Sequence, residues 1–170
     1  STDMVLLYGG GHHRTPYTWD KERVSSYIRY VDTDNQSHWL FDSFLFLEIM
    51  DTGTGGANKM FAKGYNLESA NQADWTKLID YYFQSETGIG ALDASVKEAS
   101  AILGTPRQKR QIVISIPEPI VYQHPEQASS STKYWGKIDN QTLDFSNSAD
   151  RIKACKWYID QVRAKFNEKN

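Results

Sequence analysis

The sequence predicts an α/β fold in which parallel strands are joined by helical crossovers, and two observations carry that expectation. Three β-rich apolar runs, Met4 to Tyr8, Trp39 to Ile49 and Gln111 to Ile116, have the nearly unbroken hydrophobicity of strands covered on both faces. Between and after them lie segments with apolar residues at helical spacing, so the order reads β-α-β-α-α-β-α.

The first helical pattern begins at Thr18 as N-cap and places Val24, Tyr27, Ile28 and Val31 on one face. The second follows Asp74 as N-cap, with Trp75, Leu78, Ile79 and Tyr82 on one side. The third carries Leu92, Val96, Ala99 and Leu103 up to a stop at Gly104 and Pro106. The last runs from about Ala149 with a stripe of Ile152, Cys155, Ile159, Val162 and Phe166. Two long polar loops, Asp51 to Asn71 and Tyr122 to Asp144, leave strand C-terminal ends, where parallel α/β folds build their sites. The pattern fits either a Rossmann-like sheet or a β/α barrel, with residues 1–170 forming a single α/β domain.

Composition narrows the function classes. A chain of 170 residues buries roughly 70% of its unfolded surface. A formal net charge of -2 lacks the basic footprint of a nucleic-acid binder, so no nucleic acid is expected as partner. The longest apolar stretch, Trp39 to Met50, is interrupted by Asp42 and Glu48 and falls short of the ~20 residues of a transmembrane helix. Cys155 is the only cysteine, which excludes an internal disulfide and a cysteine-based metal cluster and leaves a plain buried thiol. No signal-peptide pattern opens the sequence, and Ser1-Thr2-Asp3 leads almost directly into a strand, as in a trimmed chain.

The second predicted strand is the most informative. Its alternation places Asp42, Phe44, Phe46 and Glu48 on one face and Phe41, Leu45, Leu47 and Ile49 on the other, which should meet helices. Glu48 then points to the C-terminal mouth, as a catalytic acid or base or an acceptor for sugar hydroxyls, or else as the partner of a buried arginine or a backbone clamp. The third strand leaves through Ile116-Pro117-Glu118-Pro119, whose prolines hold one carboxylate in place, unless Glu118 is simply solvated. Glycoside hydrolysis needs two carboxylates about 5 to 9.5 Å apart, and Glu48 and Glu118 are the candidate pair.

The first strand ends in Tyr8-Gly9-Gly10-Gly11-His12-His13-Arg14, which fits neither GxGxxG nor GxxxxGK[ST], so no nucleotide cofactor is expected. Adjacent histidines without HExxH spacing do not make a metal site, and no metal is expected. There is no GxSxG elbow for a serine nucleophile. Trp19, Trp39, Tyr65, Tyr122, Tyr134 and Trp135 offer flat apolar platforms of the kind sugar rings stack on, although core packing accounts for most such residues. The candidate substrate contacts are Tyr8, His12, His13, Trp39, Asp51, Tyr122 and Trp135.

The segments YGGGHHRTPYTWDKERVSSYIRYVD, HWLFDSFLFLEI, IGALDASVKEA, IVISIPEP and DRIKACKWYIDQVRAKF together resemble the N-terminal half of a secreted bacterial family, domain of unknown function 4855. The resemblance covers most of the chain. It implies a unit similar to glycoside hydrolase barrels, with this chain as the first three β/α units of a (β/α)8 (TIM-type) barrel, and it implies export to the periplasm or cell surface. Barrel glycosidases commonly place the acid on the fourth strand and the nucleophile later, beyond Asn170 in this reading. No catalytic residue comes with the motifs. Two functions follow as expectations: a glycoside hydrolase-like protein using Glu48 and Glu118, or a non-catalytic glycan-binding or cell-surface domain using its aromatic loops. In either, the remainder of the chain or a second copy is expected to cover the sheet edges.

Overall fold

The computed structural model describes residues 3–9, 18–51, 59–64, 67–121 and 134–169. In chain order the elements are β1 (Met4–Gly9), α1 (Lys21–Ile28), β2 (Arg29–Val31), β3 (Ser37–Trp39), β4 (Ser43–Glu48), β5 (Met50–Asp51), β6 (Lys59–Met60), β7 (Glu68–Ser69), α2 (Gln72–Phe83), α3 (Gly88–Leu103), β8 (Gln111–Ile114), β9 (Tyr134–Ile138), β10 (Gln141–Asp144) and α4 (Ser148–Lys169). They fall into two compact units. The first holds β1, the chain from α1 to Leu47, and Tyr81 to Ser115; the second holds Glu48 to Asp80 and the chain from Ile116 onward.

In the first unit, β1, β4 and β8 form a parallel three-stranded sheet in sequential order with β4 at its centre, as the three apolar runs predict. The register pairs Phe44 with Ile112, Leu45 with Val113 and Phe46 with Ile114. Phe44 and Phe46 are fully buried, and the Phe46 ring meets Tyr82 of α2 edge-on at 5.6 Å. Leu45 and Leu47 are only half-buried, and Val113 is exposed. The face that meets a helix is therefore the aromatic one, not the leucine face. Ring burial decides this, because a Phe removes far more apolar surface from water than a Leu can.

Local side-chain chemistry corrects several expected boundaries. The first helix is capped by Asp20, whose carboxylate accepts from the Arg23 amide at 3.0 Å, and Thr18 lies outside it. Val31 is not helical but exposed in β2, which pairs antiparallel with β3. Asp32 accepts from the amides of Asp34 and Gln36 at 3.0 and 2.8 Å, and Asn35 adopts a left-handed φ of 61°. An Asx turn of this kind offers the backbone an alternative to helix, so a hairpin occupies residues read as the end of one helix and the start of one strand.

The second helix starts at Gln72 rather than after Asp74. Asn71 and Asp74 form a reciprocal capping box, each side chain accepting from the other's amide at 3.0 and 2.9 Å. Its expected face is buried in full: Trp75, Leu78, Ile79 and Tyr82. The third helix stops where expected, at Gly104 with φ 77°.

In the second unit, the two polar loops contain structure. One holds the small sheet β5-β6-β7, and the other ends in the hairpin β9-β10, turned by Asp139 and Asn140, both at positive φ as a type I′ turn requires. The expected stripe on α4 is displaced. Ala154 and Tyr158 are the buried positions, whereas Ile152 is 55% exposed and Ile159 also faces outward. Tyr158 wins the inward position because Trp75 meets it edge-on at 5.7 Å.

Two substitutions test these arguments. A Cβ at Gly90 would lie 1.7 Å from the Gln84 carbonyl oxygen, so Gly90→Ala should destabilise by about 3 kcal/mol in urea titration. Asn71→Ala removes one half of the capping box and should cost about 1 kcal/mol.

Candidate functional site

The candidate site is built at the C-terminal end of β4, within the second unit. Glu48 shares strand parity with Phe44 and Phe46 and is 4% exposed. Its negative charge, together with burial as the larger cause, pushes the Tyr158 hydroxyl of α4 well above the usual tyrosine range. Glu48 thus lies on the side-chain parity of the helix-covered face, where the leucine face was expected to take the helices.

Beyond Glu48 the chain is tied down by backbone bonds that converge on one residue. The Phe61 amide donates to the Ile49 carbonyl at 2.7 Å, and the Phe61 carbonyl accepts from the Glu118 amide at 2.7 Å. Each candidate carboxylate therefore lies on or beside a residue bonded to Phe61. In the same unit, Met60 and Ile120 form a buried apolar pair, packed by Ile49 and Leu67.

Glu118 itself is exposed, and its Oε2 accepts from the Lys63 amide at 2.7 Å. The prolines do hold the exit, since Pro117 is buried. The carboxylate they position clamps the backbone after β6.

The remaining candidates fall in one unit or the other, or outside the described residues. Trp135 is 2% exposed, with Trp75, Trp157 and Phe145 at 5.0, 5.4 and 5.6 Å from its ring centre, and so lies in the aromatic core of the second unit. Tyr8 belongs to the first unit, where its carbonyl accepts from the Trp19 indole at 3.0 Å. Asp51 lies in β5 opposite Lys59, and its side chain lies outside the described residues, as do His12, His13 and Tyr122. Trp39, in β3, carries the Arg110 guanidinium 4.5 Å above its ring.

Arg110 and its neighbours were not foreseen, because they meet across 71 positions of sequence and form no motif. Together with Trp39 they line a cleft of about 690 Å³ at the N-terminal ends of β4 and β8. Burial lowers the Arg110 guanidinium from its ordinary range, and the Asp42 charge opposes this. Cys155 is half-buried and its thiol is pushed up by burial, consistent with an inert packing role.

The sequence matches the family Domain of unknown function (DUF4855) over residues 3–170. The chain belongs to this family. No curated protein and no solved structure matches the chain. Among the described residues of this DUF4855 domain, no group of three or more His, Cys, Asp and Glu could hold a metal ion, and no helix is long and apolar enough to cross a membrane.

Tyr158 gives a pH test of this geometry. Its hydroxyl is buried without a hydrogen-bond partner among the described residues, and its folded pKa lies above the unfolded value of 10.0. Its contribution to stability is complete below about pH 10 and is lost as pH rises above it. The urea midpoint should fall from pH 9 to 11, and Tyr158→Phe should flatten that fall while leaving stability at pH 7 unchanged or higher.

Proposed function

We propose that this domain is a carbohydrate-active protein of glycoside hydrolase-like type, in which Glu48 is the acid or base. The observation that carries the reading is a carboxylate 4% exposed at the C-terminal end of the central strand of a parallel sheet, the end at which β/α folds place their chemistry. A carboxylate withdrawn from water beside a buried tyrosine has the surroundings of a general acid. Glu118, oriented through the Lys63 amide, is the second carboxylate of the proposed pair.

The sequential order of β1, β4 and β8 is consistent with the first β/α units of a TIM-type barrel, and the sheet edges would then be covered by further strands or a second copy. Export to the periplasm or cell surface rests on the sequence resemblance alone. A second reading, non-catalytic glycan recognition, is favoured by one feature: the Glu118 carboxylate is already engaged by a backbone amide.

Glutamine at either position keeps the shape and removes the titratable proton. In a screen of glycan hydrolysis, Glu48→Gln should lose ~10²-fold or more in turnover, and Glu118→Gln as much if it is the partner. Wild-type turnover in Glu48→Gln would sink the catalytic assignment, and glycan binding without turnover in any form would establish the second reading in its place.

A further inference from the structure

We propose that the cleft at the N-terminal edge of the sheet, lined by Tyr30, His38, Trp39, Asp42, Arg107 and Arg110, binds the carboxylate of an acidic saccharide. It lies entirely in the first unit, whereas Glu48 belongs to the second. Its volume of about 690 Å³ falls within the range of small-molecule sites.

The charges in the cleft are unequal. Arg107 is exposed and joins no ion pair among the described residues. Arg110 donates from Nη1 to the Gln108 carbonyl at 3.2 Å, and its Nε is buried without a hydrogen-bond partner. Against these two cations stands Asp42, whose carboxylate is already engaged by the Gln108 amide group and by the Ser43 hydroxyl at 3.4 Å. His38 is occupied by Asp32 at 2.6 Å. Two guanidiniums against the one lining carboxylate, which acts on Arg110, leave the lining with surplus positive charge in guanidinium form, and a guanidinium fork matches a carboxylate's two oxygens.

The walls supply the other half of the recognition. Trp39 lies beneath Arg110 at 4.5 Å, and Tyr30, largely exposed, stacks on His38 at 5.1 Å with 26° between planes. Flat apolar surfaces beside guanidinium groups suit a ring that bears a carboxylate, such as a uronic acid. The saccharide body rests on the carbohydrate reading proposed above; the preference for an anion does not.

The test uses the full chain, titrated calorimetrically with tri-galacturonate, with its neutral counterpart galactotriose, and with inorganic phosphate. Tri-galacturonate should bind, the neutral trimer at least about tenfold more weakly, and phosphate should not compete at equal concentration. Arg107→Gln, an exposed change that should leave the urea midpoint unmoved, should weaken tri-galacturonate binding by about tenfold or more, and Arg110→Gln likewise. Equal binding of the neutral trimer, equal competition by phosphate, or full binding in Arg107→Gln would each overturn the proposal. Glu48→Gln separates the two readings. Hydrolysis lost there with no uronate binding anywhere would refute this cleft and leave the catalytic reading, whereas arginine-dependent uronate binding without hydrolysis in any form would do the reverse.

Discussion

A parallel neighbour cannot be reached by a tight turn, and that constraint organises the first unit around β4. The strand bonds on both sides: the Asp3 carbonyl accepts from the amides of Asp42 and Ser43, the Gln111 amide donates to Asp42, and the Ser115 amide donates to Phe46. To return to the same end of the sheet, each connection must cross over it, which is why helices intervene between β1 and β4 and between β4 and β8. The same geometry gives β4 two chemically different ends. Its N-terminal end opens on the arginine cleft and its C-terminal end carries Glu48.

The second unit is held by aromatic burial, and magnitudes show why it tolerates imperfect hydrogen bonding. Trp75, Trp135 and Tyr158 are almost fully buried, and their indole N–H groups and hydroxyl have no hydrogen-bond partners among the described residues. Each unmade bond costs about 1 to 3 kcal/mol. Burying such a ring removes some 150 to 250 Å² from water, worth about 4 to 6 kcal/mol, and edge-on pairs add about 0.5 to 1.5 kcal/mol each. Burial wins, and the polar atoms are carried along. Gln72 ties the β9-β10 hairpin to this helix by a different device. Its side-chain amide exchanges two bonds with the Lys137 backbone, both 2.9 Å, an approach that requires Gly136 because a Cβ there would lie 2.2 Å from Gln72 Oε1.

What could be read from the sequence was what periodicity encodes. The three parallel strands, their order, the buried face of α2 and the end of α3 follow from apolar spacing and a glycine stop. The hairpin of β2 and β3 was hidden because its turn depends on the Asp32 side chain, and the β9-β10 hairpin because Asp139-Asn140 supplies positive φ without a glycine. The stripe on α4 failed for another reason. Ile152 and Ile159 satisfy the helical period as well as Tyr158 does, and only the position of Trp75 decides which line turns inward. The Arg110–Trp39 pair lay out of reach altogether, since spacing within one element says nothing of a cation and a ring brought together by two.

Glu48 and Glu118 are chemically identical, and the structure gives them different work. Glu118 is exposed, and the hydrogen bond its carboxylate accepts from the Lys63 amide ties down the chain after β6, a task that costs a carboxylate little because water solvates what the amide does not. Glu48 stands in Ser-Phe-Leu-Phe-Leu-Glu, a strand whose preceding residues are buried or half-buried packing groups. Withdrawing a carboxylate from water is costly unless partners compensate it. The end of a parallel strand is where β/α folds place the groups that carry chemistry. In the proposed reading Glu48, buried at the strand end, is the reacting group, and Glu118, exposed and held by the Lys63 amide, shapes the site around it.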